Sequence, residues 1–248
     1  MNNLNWDIEK LKINFNGYQD IEANYSQAFQ DLFVLTILNG KKGGVYIEIG
    51  GSDPIQINNT YLLEKKFGWK GLSFEWDSSL VDKYNSTRSN KCLCVDATKV
   101  DYTKEFMENN LPKQIDYLQV DIEPATQTLQ ALKQLDLNIY RFTVITFETD
   151  AYANDGMIVK ESREIFKRYG YQLVASNVKY QRNVFEDWYV DPTIVSAETW
   201  QKFICNNTES QIVIFKSTIL DRLIDFSYTI YRFLTKYFKQ VFIYSHPE

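Results

Sequence analysis

Gly44-Val45-Tyr46-Ile47-Glu48-Ile49-Gly50-Gly51-Ser52-Asp53 is the stretch on which the reading of this chain turns. A short apolar, β-branched run carries one carboxylate near its end and stops at two glycines, the pattern of a strand entering a tight turn. In a parallel sheet such a strand delivers its acid to the ligand edge, and glycine lets the following backbone turn sharply and approach a nucleotide-like ligand closely. A second run, Gly71-Leu72-Ser73-Phe74-Glu75, ends in another acid, and a carboxylate at a strand tip can accept hydrogen bonds from both hydroxyls of a ribose. The interval from Glu48 to Glu75 holds one helix and two tight connections, somewhat longer than the roughly 20 residues of the dinucleotide fingerprint.

Outward from this pair the chain alternates. Strands are predicted at 45–49, 71–75, 91–95, 116–121, 142–148 and 171–176, with helices near 59–67, 78–87, 102–109, 125–135 and 160–169. Such alternation implies an α/β fold with a parallel sheet covered on both faces, and right-handed crossovers place every strand's carboxyl end on one edge. A last strand comes from Asp187-Trp188-Tyr189-Val190 or from 212–215; pattern does not choose between them. Upstream, apolar spacing predicts a helix from Leu4 to Phe15, and Ser26 caps a second through Leu38. Downstream, 217–242 reads as an amphipathic helix with Leu220, Leu223, Ile224, Leu234 and Phe238 on its stripe, and Asp221, Asp225, Arg232 and Lys236 make a membrane span uncomfortable. That helix is expected to pack on its own domain or to join two copies of the chain as a homo-oligomer, an interfacial membrane helix being the alternative. The expected organisation is an N-terminal helical extension over 1–25, one catalytic domain over 26–216 and the terminal helix over 217–248.

With 248 residues, one large domain is the simplest arrangement. A net charge of −5 with no basic block argues against a nucleic-acid surface. No apolar stretch after Met1 resembles a secretory signal, and three cysteines are an odd number, so a reducing, cytoplasmic setting is expected. His246 is the one histidine, which makes a His-based general base, a Ser-His-Asp triad or a His-rich zinc site hard to build.

At the tips of the predicted strands stand Glu48, Glu75, Asp96, Asp121 with Glu123, and Glu148 with Asp150. Singly, each reads as a helix cap or a solvated loop acid, as do Asp77 before Ser78-Ser79 and Asp53 before Pro54. Gathered in one cleft they would repel one another and raise each other's pKa, unless the ligand is a cation or is rich in donors. Tyr61, Trp69, Trp188 and Tyr189 read as core aromatics, and Arg182 as a charge in the loop 177–185.

In chain order, Ser26-Gln27 with Gln30-Asp31, Glu48-Ile49-Gly50, Asn59-Thr60 with Leu63-Glu64, Gly68-Trp69-Lys70-Gly71, Asp116 to Glu123, Phe147-Glu148, Ser162 to Phe166 and Glu186 to Val190 resemble the FkbM-type S-adenosylmethionine-dependent methyltransferases. The resemblance implies a three-layer αβα class I methyltransferase fold, Rossmann-like, with a mostly parallel seven-stranded sheet whose last strand is antiparallel. It implies that Glu48, Gly50 and Gly51 border the methionine part of S-adenosylmethionine, that Glu75 holds the ribose, and that Asp96 and Ala97 meet the adenine. Asp121 would lie beside the methyl donor, with Glu123, Glu148 and Asp150 on the acceptor side. Pro54 stands where the family usually has glycine, and Thr149 where it often has histidine.

The expected activity is O-methylation of a hydroxyl on a sugar, glycan or other small molecule, the acceptor class resting on family precedent. A hydroxyl needs activation, and two routes are open. Asp121 or Glu148, raised in pKa, could act as the general base, or Asp121 and Glu148, with Asp150 or with Glu123, could hold Mg²⁺ or Mn²⁺. Two other readings are a catalytically impaired protein of the same fold serving as a binding or assembly module, and a nicotinamide oxidoreductase. The second lacks the Gly-x-Gly-x-x-Gly pattern.

Overall fold

The computed structural model describes residues 2–3, 11–12 and 14–215. Two short strands, β1 (Asn2–Asn3) and β2 (Ala23–Asn24), pair antiparallel apart from the main sheet, at whose centre β3 (Val45–Ile49) lies between β4 (Lys70–Glu75) and β6 (Gln114–Val120), parallel to both. Outside them run β5 (Lys91–Cys94) on one side and β7 (Arg141–Glu148) on the other, also parallel. Next to β7 comes β9 (Asn183–Val190), antiparallel to it and to β8 (Gln172–Tyr180). The expected antiparallel last strand is thus the 183–190 segment, and residues 210–214 form a short helix instead. The sheet has eight strands rather than seven, because the two-residue β10 (Cys205–Asn206) adds in parallel to β8, giving the order β10-β8-β9-β7-β6-β3-β4-β5.

Two-residue alternation builds the layers. Tyr46, Tyr117, Val144 and Trp188 face one apolar cluster with α1 (Gln30–Ile37) and α2 (Tyr61–Phe67). Ile47, Ile49, Val120 and Phe147 face the other, with α4 (Tyr102–Glu108), α5 (Ala125–Gln134) and α6 (Met157–Arg168). The helix α3 (Ser78–Thr87) packs beside β5, its start fixed by Asp77, whose side chain accepts from the amides of Ser79 and Leu80 as a cap should.

Three local expectations give way to tertiary contacts. Ser26 does not cap α1: its hydroxyl donates to buried Asp31 at 2.7 Å, and the helix starts four residues later, after Phe29 in a left-handed conformation. Most of the helix expected from Leu4 to Phe15 lies outside the described residues, and at its end residues 11, 12, 14 and 15 are not helical. Leu11 bridges Phe215 instead, and Phe15 buries itself against Phe67. The expected loop 177–185 is almost wholly strand, since β8 and β9 form a hairpin turning at Gln181 and Arg182, both with positive φ. The terminal helix expected over 217–242 lies outside the described residues. No described helix is long and apolar enough to cross a membrane.

Candidate active site at the carboxyl edge of the sheet

Strand register explains why the acids meet. Glu48 sits opposite Ser73 on one side and Gln119 on the other, and Gln119 sits opposite Thr146. All four side chains therefore share the α1/α2 face. Two residues nearer the edge, the same face carries Glu75, Gly50, Asp121 and Glu148, with Glu186 opposite Glu148. Gly50 is the gap in that row. Its φ is +89°, and a Cβ there would lie 1.8 Å from the Asp121 carbonyl oxygen, so no side chain fits.

Two adjoining hollows of about 310 and 340 Å³ open along this edge and share Gly50, Glu75, Trp76, Ile122 and Glu123. Glu48, Gly51 and Asp121 line the first, Asp96 and Ala97 the second. Every cofactor-binding residue expected from the sequence thus borders one continuous cleft.

Their carboxylates are not equally free. Glu75 is clamped from behind: Oε2 accepts from Ser52 N at 2.9 Å, while Oε1 accepts from Trp76 N at 2.9 Å and Asp77 N at 3.0 Å. Oε1 is thereby fully engaged, while Oε2 keeps a second lone pair, so the clamp orients the group and leaves that oxygen open to a donor. Asp96 caps a single turn at Ala97–Lys99 and pairs with Lys99 at 2.8 Å, contacts that hold its carboxyl low, at about 2. Glu48 is turned inward, accepting from Thr60 Oγ1 (2.8 Å), Ser73 Oγ (2.7 Å) and Tyr84 Oη (3.2 Å). Burial pushes its carboxyl up, while nearby Arg88 and those hydroxyls oppose the shift.

Arg88 is a residue supporting the cleft's walls that pattern reading overlooked. Its fully buried guanidinium pairs with Glu64 at 2.7 Å and donates to Pro54 O, Asn58 Oδ1, Tyr46 Oη and Thr60 Oγ1 at 3.0–3.1 Å. It also lies 4.7 Å from the Tyr84 ring centroid. It ties the loop after β3 to α2 and α3. Pro54 is compatible with this loop, because it contributes a carbonyl to Arg88 while Asp53 Oδ1 takes the amides of Ile55 and Gln56 and Asp53 also pairs with Lys83.

Beside Asp121 and outside the linings of both hollows, Glu148 lies between Asp121 and Asp150, within hydrogen-bonding reach of both, and is held by Thr128 Oγ1 at 2.9 Å. Burial is the main cause raising all three carboxyls, and repulsion from neighbouring acids, Glu123 among them, adds to it. Asp121 reaches about 6, and Glu148, deeper in the fold, rises much further and holds the shared proton. Oxygens of Glu123, Glu148 and Asp150 come within 4.8 Å of one another, so Glu123 replaces Asp121 in the most compact triad. Glu186, buried between Gln30 Nε2 (3.0 Å) and Trp188 Nε1 (2.6 Å), is pushed up to about 8 by burial and by Asp121. Only the placement of β9 beside β7 reveals its proximity. Thr149 is engaged by the fold: it is buried, and its amide and hydroxyl both donate to Phe185 O.

No curated protein matches this sequence. Among solved structures, a putative rRNA-methylase from Clostridium thermocellum shares 11% identity and a TM-score of 0.48, covering 68% of this chain and 97% of that one. A TehB-like SAM-dependent methyltransferase from Corynebacterium glutamicum shares 14% and 0.42, over 71% and 92%. These likenesses are too distant to speak to substrate. The sequence profile described as the methyltransferase FkbM domain matches residues 7–173, more than half of the chain and the part that builds the cleft. The chain belongs to the FkbM-domain methyltransferase family.

Proposed function

We propose that the protein transfers a methyl group from S-adenosylmethionine to a hydroxyl of a sugar, glycan or other small molecule. The residues present fit the cofactor: two joined hollows suit its two ends, Gly50 keeps their junction open, and Glu75 is held at that junction by three backbone amides. In this reading Glu75 takes the ribose hydroxyls, Asp96 and Ala97 border the base, and Glu48, Gly50 and Gly51 border the amino-acid end. When bound, the cofactor supplies a methyl carbon made electrophilic by its sulfonium charge.

The observation that carries the proposal is the hydrogen-bonded series Asp121–Glu148–Asp150, which meets the cleft at Asp121. Asp121, pushed up to about 6, is ionised at neutral pH yet more basic than an ordinary aspartate, which suits a general base. Glu148 keeps its proton and donates to Asp121, which orients that carboxylate. As the acceptor oxygen loses its electron pair to the new bond, its proton passes to Asp121. Tyr152, 57% exposed beside Asp150, offers an aromatic face of the kind that packs on a sugar ring, which supports the acceptor class.

A second route keeps the same residues. Mg²⁺ or Mn²⁺ held by Glu148 and Asp150, with Asp121 or Glu123, would orient a diol and acidify it. Transfer that survives exhaustive chelation undiminished excludes it. The cofactor reading is tested by calorimetric titration with S-adenosylhomocysteine. Glu75→Ala should weaken binding tenfold or more, since hydrogen bonds to a charged group each contribute about 1.5–3 kcal/mol. Unchanged affinity refutes the ribose assignment, and tight binding without transfer to any hydroxyl acceptor favours a binding or assembly module.

A further inference from the structure

Within the first hollow lie two side chains that the fold leaves without partners. Gln119 is 3% exposed and Asn59 6%, and neither amide oxygen has a hydrogen-bond partner. A buried amide left unpaired is costly, and such groups are normally satisfied. Both line the hollow that Gly50, Glu48 and Asp121 border. Of their neighbours in that lining, Glu48 is engaged by three hydroxyls and Asn58 by Thr60, Tyr61 and Arg88, whereas Gln119 and Asn59 combine deep burial with an unpaired oxygen. Among the described residues no lysine or arginine lines it.

We infer that Gln119 and Asn59 bind the α-amino-acid end of the methyl donor and make the protein selective for nucleosides that carry it. The inference rests on the proposed cofactor and adds which residues read its amino acid. That end is a zwitterion, one ammonium donor beside one carboxylate acceptor. An amide offers both an acceptor oxygen and two donor hydrogens, and its terminal torsion is broad and nearly two-fold, so it can turn to present either. Two amides therefore match a zwitterion without adding net charge to a hollow already lined by Glu48, Glu75 and Asp121. Gln119 sits on β6 directly across from Glu48 and two residues before Asp121, so it marks the inner limit of the cleft, while Asn59 closes it from the loop before α2.

The test compares S-adenosylhomocysteine with 5′-methylthioadenosine, which keeps the nucleoside and thioether but lacks the amino acid, by calorimetric titration of the full chain. Gln119→Met and Asn59→Leu should each weaken S-adenosylhomocysteine about tenfold or more and leave 5′-methylthioadenosine within twofold of wild type. Retained binding of the shorter ligand shows that the variant is folded. Should Gln119→Met not fold, Gln119→Asn, which keeps the amide on a shorter stem, is expected to give the same contrast in weaker form. Equal weakening of both ligands, or no weakening of either, overturns the assignment while leaving the cofactor reading intact. A wild-type protein that binds neither ligand overturns both.

Discussion

Carboxyl-carbon NMR of Asp121 should show a titration midpoint near pH 6 in the wild-type protein, against 3.8 for an unperturbed aspartate. Two units correspond to about 3 kcal/mol of disfavour for the charged form at 1.36 kcal/mol per unit, an upper bound because the side chain keeps some contact with solvent. Burial is the largest cause, Asp150 and Glu123 add repulsion, and the hydrogen bond from Glu148 works the other way. The components separate by mutation. Asp150→Asn removes a like charge and should lower the midpoint by roughly half a unit to one unit. Glu148→Gln keeps a donor to Asp121 and should leave the midpoint near 6, whereas Glu148→Leu removes the donor and should lift it. The sign for stability follows from linkage. A carboxyl raised by folding contributes stability that is fully present below its unfolded pKa and lost as pH rises through its folded one. Asp121's contribution is therefore complete below about pH 4 and gone above about pH 7. Transfer should rise with pH over the same window, since at pH 5 only about a tenth of Asp121 would be ionised. A midpoint near 4, insensitive to Asp150→Asn and Glu148→Leu, would refute the reasoning.

Further outcomes follow from single contacts. Gly50→Ala places a Cβ 1.8 Å from a backbone oxygen at φ +89°, so urea unfolding should show a loss of at least about 2 kcal/mol and cofactor-analogue binding should fall sharply; a neutral effect would mean the turn is not as described. Arg88→Met leaves Glu64 and Glu48 buried without their cation and should cost about 3–5 kcal/mol by the same assay, whereas a loss below 1 would show the network to be dispensable. Thr149→Val removes one buried hydroxyl contact and should cost about 1 kcal/mol while leaving analogue binding unchanged, and a selective loss of binding or transfer would place Thr149 in the site.

Local features of the chain were legible wherever the physics is local. The apolar runs of Val45–Ile49 and Lys70–Glu75, the turn held by Asp53 and the cap at Asp77 each depend on a few neighbouring residues, and each appears as expected. Ser26 misled because its hydroxyl had a better partner in Asp31 than in the helix it precedes. The seven-strand expectation fell one short because β10 is two residues long and exists only by pairing with β8. Likewise, 187–190 and 212–215 have similar patterns, and only the open position between β7 and β8 selects the first.

From residue order alone one could determine that acids recur at the ends of parallel strands and that glycine follows the first of them, since period-two alternation and crossover handedness carry those acids to one rim. Tertiary structure alone decided which carboxyls serve which purpose. Glu48 is anchored inward by three hydroxyls, Glu75 is clamped toward the cleft, Glu148 is wedged between two aspartates, and Glu186 joins them from an antiparallel strand. The reason is desolvation: a carboxyl's charge, basicity and available lone pairs are set by whatever the distant parts of the chain bring against it, and no neighbour in sequence records that.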